Sequence, residues 1–177
     1  LEYLTAALPT TLAKERAANG RPEPWKIAFL GIGNESWDCG GNMTPEHYLS
    51  QLKAYSRFVR NFNPAQEKDP HRMLKIAVGP GGDGPRWTEW TDVIMKAWQG
   101  RSWSWDMDGL SLHNYTVPKW PPSHKSTGFG ESEYAEILKT TLEMDRIIAT
   151  HSAIMDKYDP QKKIALVPRK DFSVASV

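Results

Sequence analysis

The sequence predicts an α/β fold with parallel strands, and three features carry that prediction. Short apolar runs of strand length alternate with longer segments of helical spacing. Turn-forming residues bound the runs, as in Arg21-Pro-Glu-Pro24 before the first and Pro80-Gly-Gly-Asp-Gly-Pro85 after the second. Helical crossovers separate the strands throughout, which implies a parallel sheet with right-handed connections.

The elements follow in order. Residues 11–19 form a short helix, capped by Thr10 or Thr11 and ended by Gly20. Lys26-Ile-Ala-Phe-Leu-Gly-Ile32 reads as a buried strand, being short and almost continuously apolar. Thr44 as N-cap, with Pro45 at the first helical position, signals a second helix. Its stripe of Tyr48, Leu52, Tyr55, Val59 and Phe62 marks one buried face, and Asn63-Pro64 closes it. Leu74–Gly79 is the second strand, running into a glycine-rich loop. Thr88 caps a third helix that carries Trp90, Val93, Ile94, Ala97 and Trp98. Met107–His113 is the third strand. After a loop containing Pro118, Pro121 and Pro122, one long helix is expected from Ser132 to Tyr158. The turn at Asp159-Pro160 leads into a fourth strand, Lys163–Val167. With no repeat or linker, residues 1–167 read as one domain, followed by a separate tail over 168–177. Four strand–helix units amount to half a barrel, and 177 residues fall short of the roughly 250 that a complete (β/α)8 barrel uses.

Composition narrows the function. The 22 basic and 21 acidic residues nearly cancel and form no basic patch, so neither a nucleic-acid nor a membrane partner is expected. No apolar run approaches the roughly 20 residues of a membrane span. The N-terminus lacks the basic-then-apolar pattern of a signal peptide, which favours the cytoplasm. The chain opens on Leu1 rather than Met, so location stays open. The single cysteine, Cys39, excludes an internal disulfide and is read as structural or as lining a site. Eight tryptophans suit stacking on sugar faces, although core packing is the expectation for most.

The chemistry concentrates in GNESWDCGGNMTPEHY, residues 33–48. Asn34 and Glu35 sit where the first strand ends and a loop begins, the position at which α/β barrels build chemistry. Flanked by Asn34 and Trp37, Glu35 reads as a sugar-site acid; the alternative is a loop Glu paired with an Arg. Trp37 forms a wall of the site or packs beneath the loop. His113 and Tyr115 end the third strand, where a lone His is otherwise a structural residue. Gly31-Ile-Gly33-Asn-Glu-Ser36 approximates a dinucleotide loop, but no helix opens directly after it and position 53 is Lys. The glycines at 79, 81, 82 and 84 lack the Gly-Lys-Ser/Thr ending of a phosphate loop. Five histidines show no metal-ligand spacing. No cofactor or metal is expected.

Residues 19–48, NGRPEPWKIAFLGIGNESWDCGGNMTPEHY, closely resemble the acid/base region of glycoside hydrolase family 51, the α-L-arabinofuranosidases. The resemblance continues through DGLSLHNYT (108–116) and through 127–167. It implies strands four to seven of a (β/α)8 catalytic domain, without strands one to three, strand eight or the C-terminal β-sandwich. It also implies a retaining hydrolase of arabinose side chains in hemicellulose, with arabinoxylan or arabinan as substrate.

Retaining enzymes use two carboxyl groups about 5–5.5 Å apart, one protonating the leaving oxygen and the other attacking the anomeric carbon. The family assigns the first role to Glu35. It assigns Asn34 to the sugar hydroxyl beside the anomeric carbon, Tyr115 to orienting the nucleophilic carboxylate, and His113 to the pocket lining. Its nucleophile is the Glu of Asp-Glu-Trp-Gly after the fourth strand. Here Val167 is followed by Pro168-Arg-Lys-Asp-Phe, no Glu occurs after Glu143, and Asp171 is the tail's only carboxylate. No residue matches the nucleophile, and the tail resembles nothing in the family, reading as a frameshifted or artificially added end. Open sheet edges in such a half barrel predict a homodimer or larger homo-oligomer. Two further readings stay open: a catalytically inactive carbohydrate-binding fragment, and a related xylanase or β-glucanase activity.

Overall fold

The computed structural model describes residues 1–7, 9–67, 72–119, 121 and 125–171, with Glu67 and 169–171 described by backbone alone. Pro122 of the proline-rich loop and residues 172–177 of the tail lie outside the described residues. Strand and helix alternate along the chain and the strands are parallel, as the sequence predicts for an α/β fold. Two units divide the chain: 1–78 with 100–109, and 79–99 with 110–177.

The first unit contains α1 (Glu2–Thr5), α2 (Thr11–Ala18), β1 (Phe29–Ile32), α3 (Pro45–Phe58), α4 (Pro64–Glu67) and β2 (Leu74–Ala77). Thr10 caps α2, its side chain accepting the Ala13 N–H. Buried Arg16 on α2 donates to the carbonyls of Tyr3, Ala6, Arg21 and Pro22, which fixes the chain leading into β1. β1 pairs with β2 in parallel, Phe29 opposite Leu74 and Ile32 opposite Ala77.

The expected buried strand over 26–32 is corrected on two points. Ladder structure begins only at Phe29, and Phe29 is 63% exposed. The Gln66 side chain takes the place of a strand partner for Ile27, accepting its N–H at 3.1 Å and donating to its carbonyl at 2.8 Å. Backbone groups satisfied by a side chain have no need of a ladder.

Thr44 caps α3 as expected, accepting the His47 N–H, with Pro45 in the first turn. The buried face is Tyr48, Leu52 and Ser56, a strict four-residue spacing. Tyr55 and Phe62 of the expected stripe are exposed, and the helix stops at Phe58. At the other end of β2, Asp108 pairs with Arg72 and accepts the Lys75 N–H at 2.8 Å. Burial pushes the Asp108 carboxyl up, but Arg72 and that N–H outweigh it and hold the group below its ordinary range.

The second unit contains α5 (Pro85–Gln99), β3 (Gly109–Tyr115), α6 (Glu131–Thr141), α7 (Glu143–Tyr158) and β4 (Ala165–Asp171). β3 and β4 are hydrogen-bonded neighbours. α5 packs on α7, and Leu112 of β3 forms a core cluster with Met144 and Ile147, against which Leu166 packs. Thr88 is not the cap of α5. The helix starts a turn earlier at Pro85, and the Thr88 hydroxyl donates back to the Pro85 carbonyl. Proline suits that first position because its missing N–H would have had no partner.

The expected single helix over 132–158 is two helices. Leu142 interrupts them, its N–H turning to Lys139 and Thr140, while the hydroxyls of Thr140 and Thr141 bond back one turn. Such back-bonding competes with the helical ladder. β3 runs two residues past its predicted end, through Tyr115, and β4 runs across position 167 to Asp171.

Of the tryptophans, Trp37, Trp90, Trp98 and Trp105 are buried, as expected for core residues, while Trp103 is 85% exposed beside Arg57.

Candidate active site

The candidate site begins where β1 ends. The Tyr48 hydroxyl, buried on the first turn of α3, donates to the Ile32 carbonyl at 2.8 Å and accepts the Val78 N–H at 2.6 Å. One phenol therefore joins the exits of β1 and β2. Burial pushes it well above its ordinary range, with the Val78 N–H working in the opposite direction, so it stays a neutral donor.

Directly beyond, Gly33 adopts φ +99, and a Cβ there would come within 2.8 Å of the Ser36 hydroxyl and 3.1 Å of Val78. Glu35 itself sits at φ +44, in the left-handed region that few non-glycine residues occupy. The turn closes on it: its carbonyl accepts the N–H groups of Asp38 at 2.8 Å and Gly40 at 3.0 Å, and Met43 N–H returns to Ser36. Gly40 lies so close that a Cβ would approach the Asn34 carbonyl oxygen to 1.8 Å. These contacts fix the backbone that carries Asn34 and Glu35. Strain of this kind is characteristic of functional turns.

The side chains divide by exposure. Asn34 is exposed and Glu35 partly exposed, whereas Ser36 and Trp37 are buried beneath the turn. Trp37, expected either as a wall or as packing, shows 7% of its surface. Exposed Cys39 donates its thiol to Glu35 Oε2 at 3.3 Å. That bond, with loss of hydration and the nearby Glu35 and Asp38 charges, pushes the thiol pKa up.

A cleft of about 410 Å³ adjoins the turn, lined by Gly31, Gly33, Ser36, Gly40 and residues of α3 such as Gln51 and Tyr55. Neither Asn34 nor Glu35 lines it.

The other two candidates belong to the second unit. His113 of β3 is buried, and its backbone N–H donates to the Pro80 carbonyl at 2.8 Å. Tyr115, partly buried, is the last residue of β3. The glycine-rich loop is held from below by His151, whose ring joins the Thr91 hydroxyl at 2.9 Å and the Gly82 carbonyl at 2.6 Å. Among the described residues, no group of three His, Cys, Asp or Glu could hold a metal ion, and no helix is long and apolar enough to cross a membrane.

The sequence reading missed the roles of Tyr48 and Gly40, and left Cys39 open between a structural residue and one lining the site. Tyr48 reads as one more apolar position of a helix stripe, and only its hydroxyl distinguishes it from Leu52. Gly40 carries a signal in the Gly-Gly doublet, though not the contact it permits. Cys39 stands four residues from Glu35, a spacing that a tight turn brings within reach.

The family model of the alpha-L-arabinofuranosidase 1 domain matches residues 1–99, more than half of the chain. This chain belongs to the α-L-arabinofuranosidase family. An intracellular exo-alpha-L-arabinofuranosidase of Bacteroides ovatus is 42% identical to it over 168 residues, 94% of this chain and 30% of that protein. An intracellular exo-alpha-(1->5)-L-arabinofuranosidase of Bifidobacterium longum is 27% identical over 89% of this chain and 25% of that protein. Among solved structures, the family 51 arabinofuranosidase of Xanthomonas axonopodis pv. citri superposes with TM-score 0.77 at 48% identity. It covers 94% of this chain, which covers 31% of it in return. This α-L-arabinofuranosidase-family chain thus spans about 30% of the length of the relatives it matches.

Proposed function

We propose that the chain carries the acid/base part of a retaining α-L-arabinofuranosidase site, acting on arabinose side chains of hemicellulose such as arabinoxylan or arabinan. The observation that carries this reading is Glu35 itself: a partly exposed carboxyl at a strand exit, on a backbone that Gly33, Gly40 and Tyr48 fix from three sides. In the first step of a retaining cycle the acid protonates the departing glycosidic oxygen while a second carboxylate bonds to the anomeric carbon; Glu35 fills the acid's place, and no residue of this sequence matches the second carboxylate. In the second step Glu35 takes a proton from the water that displaces that carboxylate, releasing arabinose and restoring the carboxylate. Asn34, exposed beside it, hydrogen-bonds the neighbouring sugar hydroxyl. Trp37 supports the turn from beneath. His113 and Tyr115 bind substrate from the end of β3, an assignment resting on the family resemblance.

The names of the relatives support an arabinofuranosyl substrate over xylan or β-glucan, and the two named intracellular support a cytoplasmic location. The four strand–helix units form part of a (β/α)8 barrel. Within this chain the edge beside β1, with exposed Phe29, is covered by self-association. A second reading is favoured by one fact: no residue of this sequence matches the nucleophile. On that reading the chain binds arabinofuranosyl oligosaccharides without turning them over. Hydrolysis of an aryl α-L-arabinofuranoside, set against calorimetric binding of an arabino-oligosaccharide, separates the two.

A further inference from the structure

We propose that Cys39 is a positioning residue for Glu35, its thiol holding carboxylate oxygen Oε2 from the open side of the turn. The proposal rests on the acid/base reading of Glu35 and extends it to a residue to which that reading gives no part. The geometry is local and specific. Glu35 and Cys39 lie on the same closed turn, and the Glu35 carbonyl already accepts the N–H groups on either side of Cys39, from Asp38 and Gly40. With its backbone locked in this way, Cys39 has its sulfur 3.3 Å from Oε2. A carboxylate accepts and a thiol can donate, so the direction of the bond is set while the carboxyl is ionised.

The chemistry fits a group that must change protonation state twice per cycle. A thiol is a weak donor: it can restrict where the carboxyl points and yet yield when the group takes up a proton. The raised thiol pKa keeps the proton on sulfur at neutral pH, as a donor requires. Cys39 is exposed, so a soluble reagent reaches its sulfur.

The chain has one cysteine, so the thiol reports on the contact directly. Alkylation by iodoacetamide is followed from pH 7 to 10 in the wild-type chain, in Glu35→Gln and in Asp38→Asn. Loss of the Glu35 charge is expected to speed alkylation at pH 8 by about three- to tenfold, because more of the thiol is ionised. Asp38→Asn should give a smaller rise, and urea-unfolded chains should react alike.

The second readout is the Glu35 side chain itself, followed through the non-equivalence of its two γ-methylene protons in NMR spectra. They are expected to stay distinct in the wild type and in Cys39→Ser, which keeps a donor, and to converge in Cys39→Ala. Superimposable alkylation curves for wild type and Glu35→Gln would overturn the contact. Unchanged γ-proton separation in Cys39→Ala would overturn the positioning role. Neither readout needs turnover, so a failure of the sugar-hydrolysis reading appears separately, in the arabinofuranoside assay.

Discussion

The Tyr48 hydroxyl donates to the Ile32 carbonyl at 2.8 Å, so the first turn of α3 holds the last residue of β1 one step before Gly33. The same oxygen accepts the Val78 N–H. Placement of the Asn34–Glu35 turn thus depends on a phenol that belongs to neither strand. Tyr48→Phe keeps the ring and removes both bonds. It should lower stability by about 1–3 kcal/mol, the cost of buried backbone groups losing a partner, as read from urea unfolding. A change within error of zero would mean that the bridge contributes nothing in solution.

Gly40 is the second fixed point. Gly40→Ala would drive a methyl group to 1.8 Å from the Asn34 carbonyl oxygen, so the turn has to open. A loss of about 1–3 kcal/mol is expected. The natural control is Gly31→Ala, whose new Cβ would lie 3.4 Å from the Gly33 carbonyl oxygen, an ordinary contact. Thermal melts should separate the two variants clearly.

His151 gives the second unit a dependence on pH. Burial pushes its pKa below the ordinary 6.5, while its bond to the Gly82 carbonyl works the other way. The neutral ring fits both partners, with Nε2–H donating to Gly82 and Nδ1 accepting from the Thr91 hydroxyl. A folded-state pKa that is lowered means stability present above the unfolded value and lost as pH falls below it, when the unfolded chain binds the proton first. Wild-type stability should therefore decline from about pH 6.5 downward through this group. His151→Gln should be less stable at pH 7.5 and show a shallower decline. Parallel curves would exclude this source of the dependence.

Much of this was legible in the sequence. Alternation of apolar runs and helical stripes gave the α/β class, because burial against a sheet imposes it on every element. Thr44-Pro45 marked the start of α3 to the residue, since capping chemistry is local. Boundaries set by tertiary partners were not legible. Nothing near Ile27 reveals that the Gln66 side chain will stand in for a strand, and the Leu142 interruption depends on two threonine hydroxyls choosing backbone acceptors. The strand-exit position of Glu35 was legible for a similar reason of locality. Its thiol contact was not, because it exists only once Gly40 has let the turn close.

Exposed Phe29 at 63% and Phe58 at 78% bear on assembly. Sedimentation velocity at micromolar concentration should reveal a dimer or larger species. A stable monomer would remove the self-association proposal and leave the β1 edge covered in some other way.

The most direct test is the turnover of an aryl α-L-arabinofuranoside with a poor leaving group by wild-type protein and by Glu35→Gln. Loss of a general acid/base is expected to slow the reaction by about 10²–10⁴-fold, with folding unchanged by circular dichroism. Equal and measurable rates in the two proteins, from equally folded samples, would contradict the assignment of Glu35.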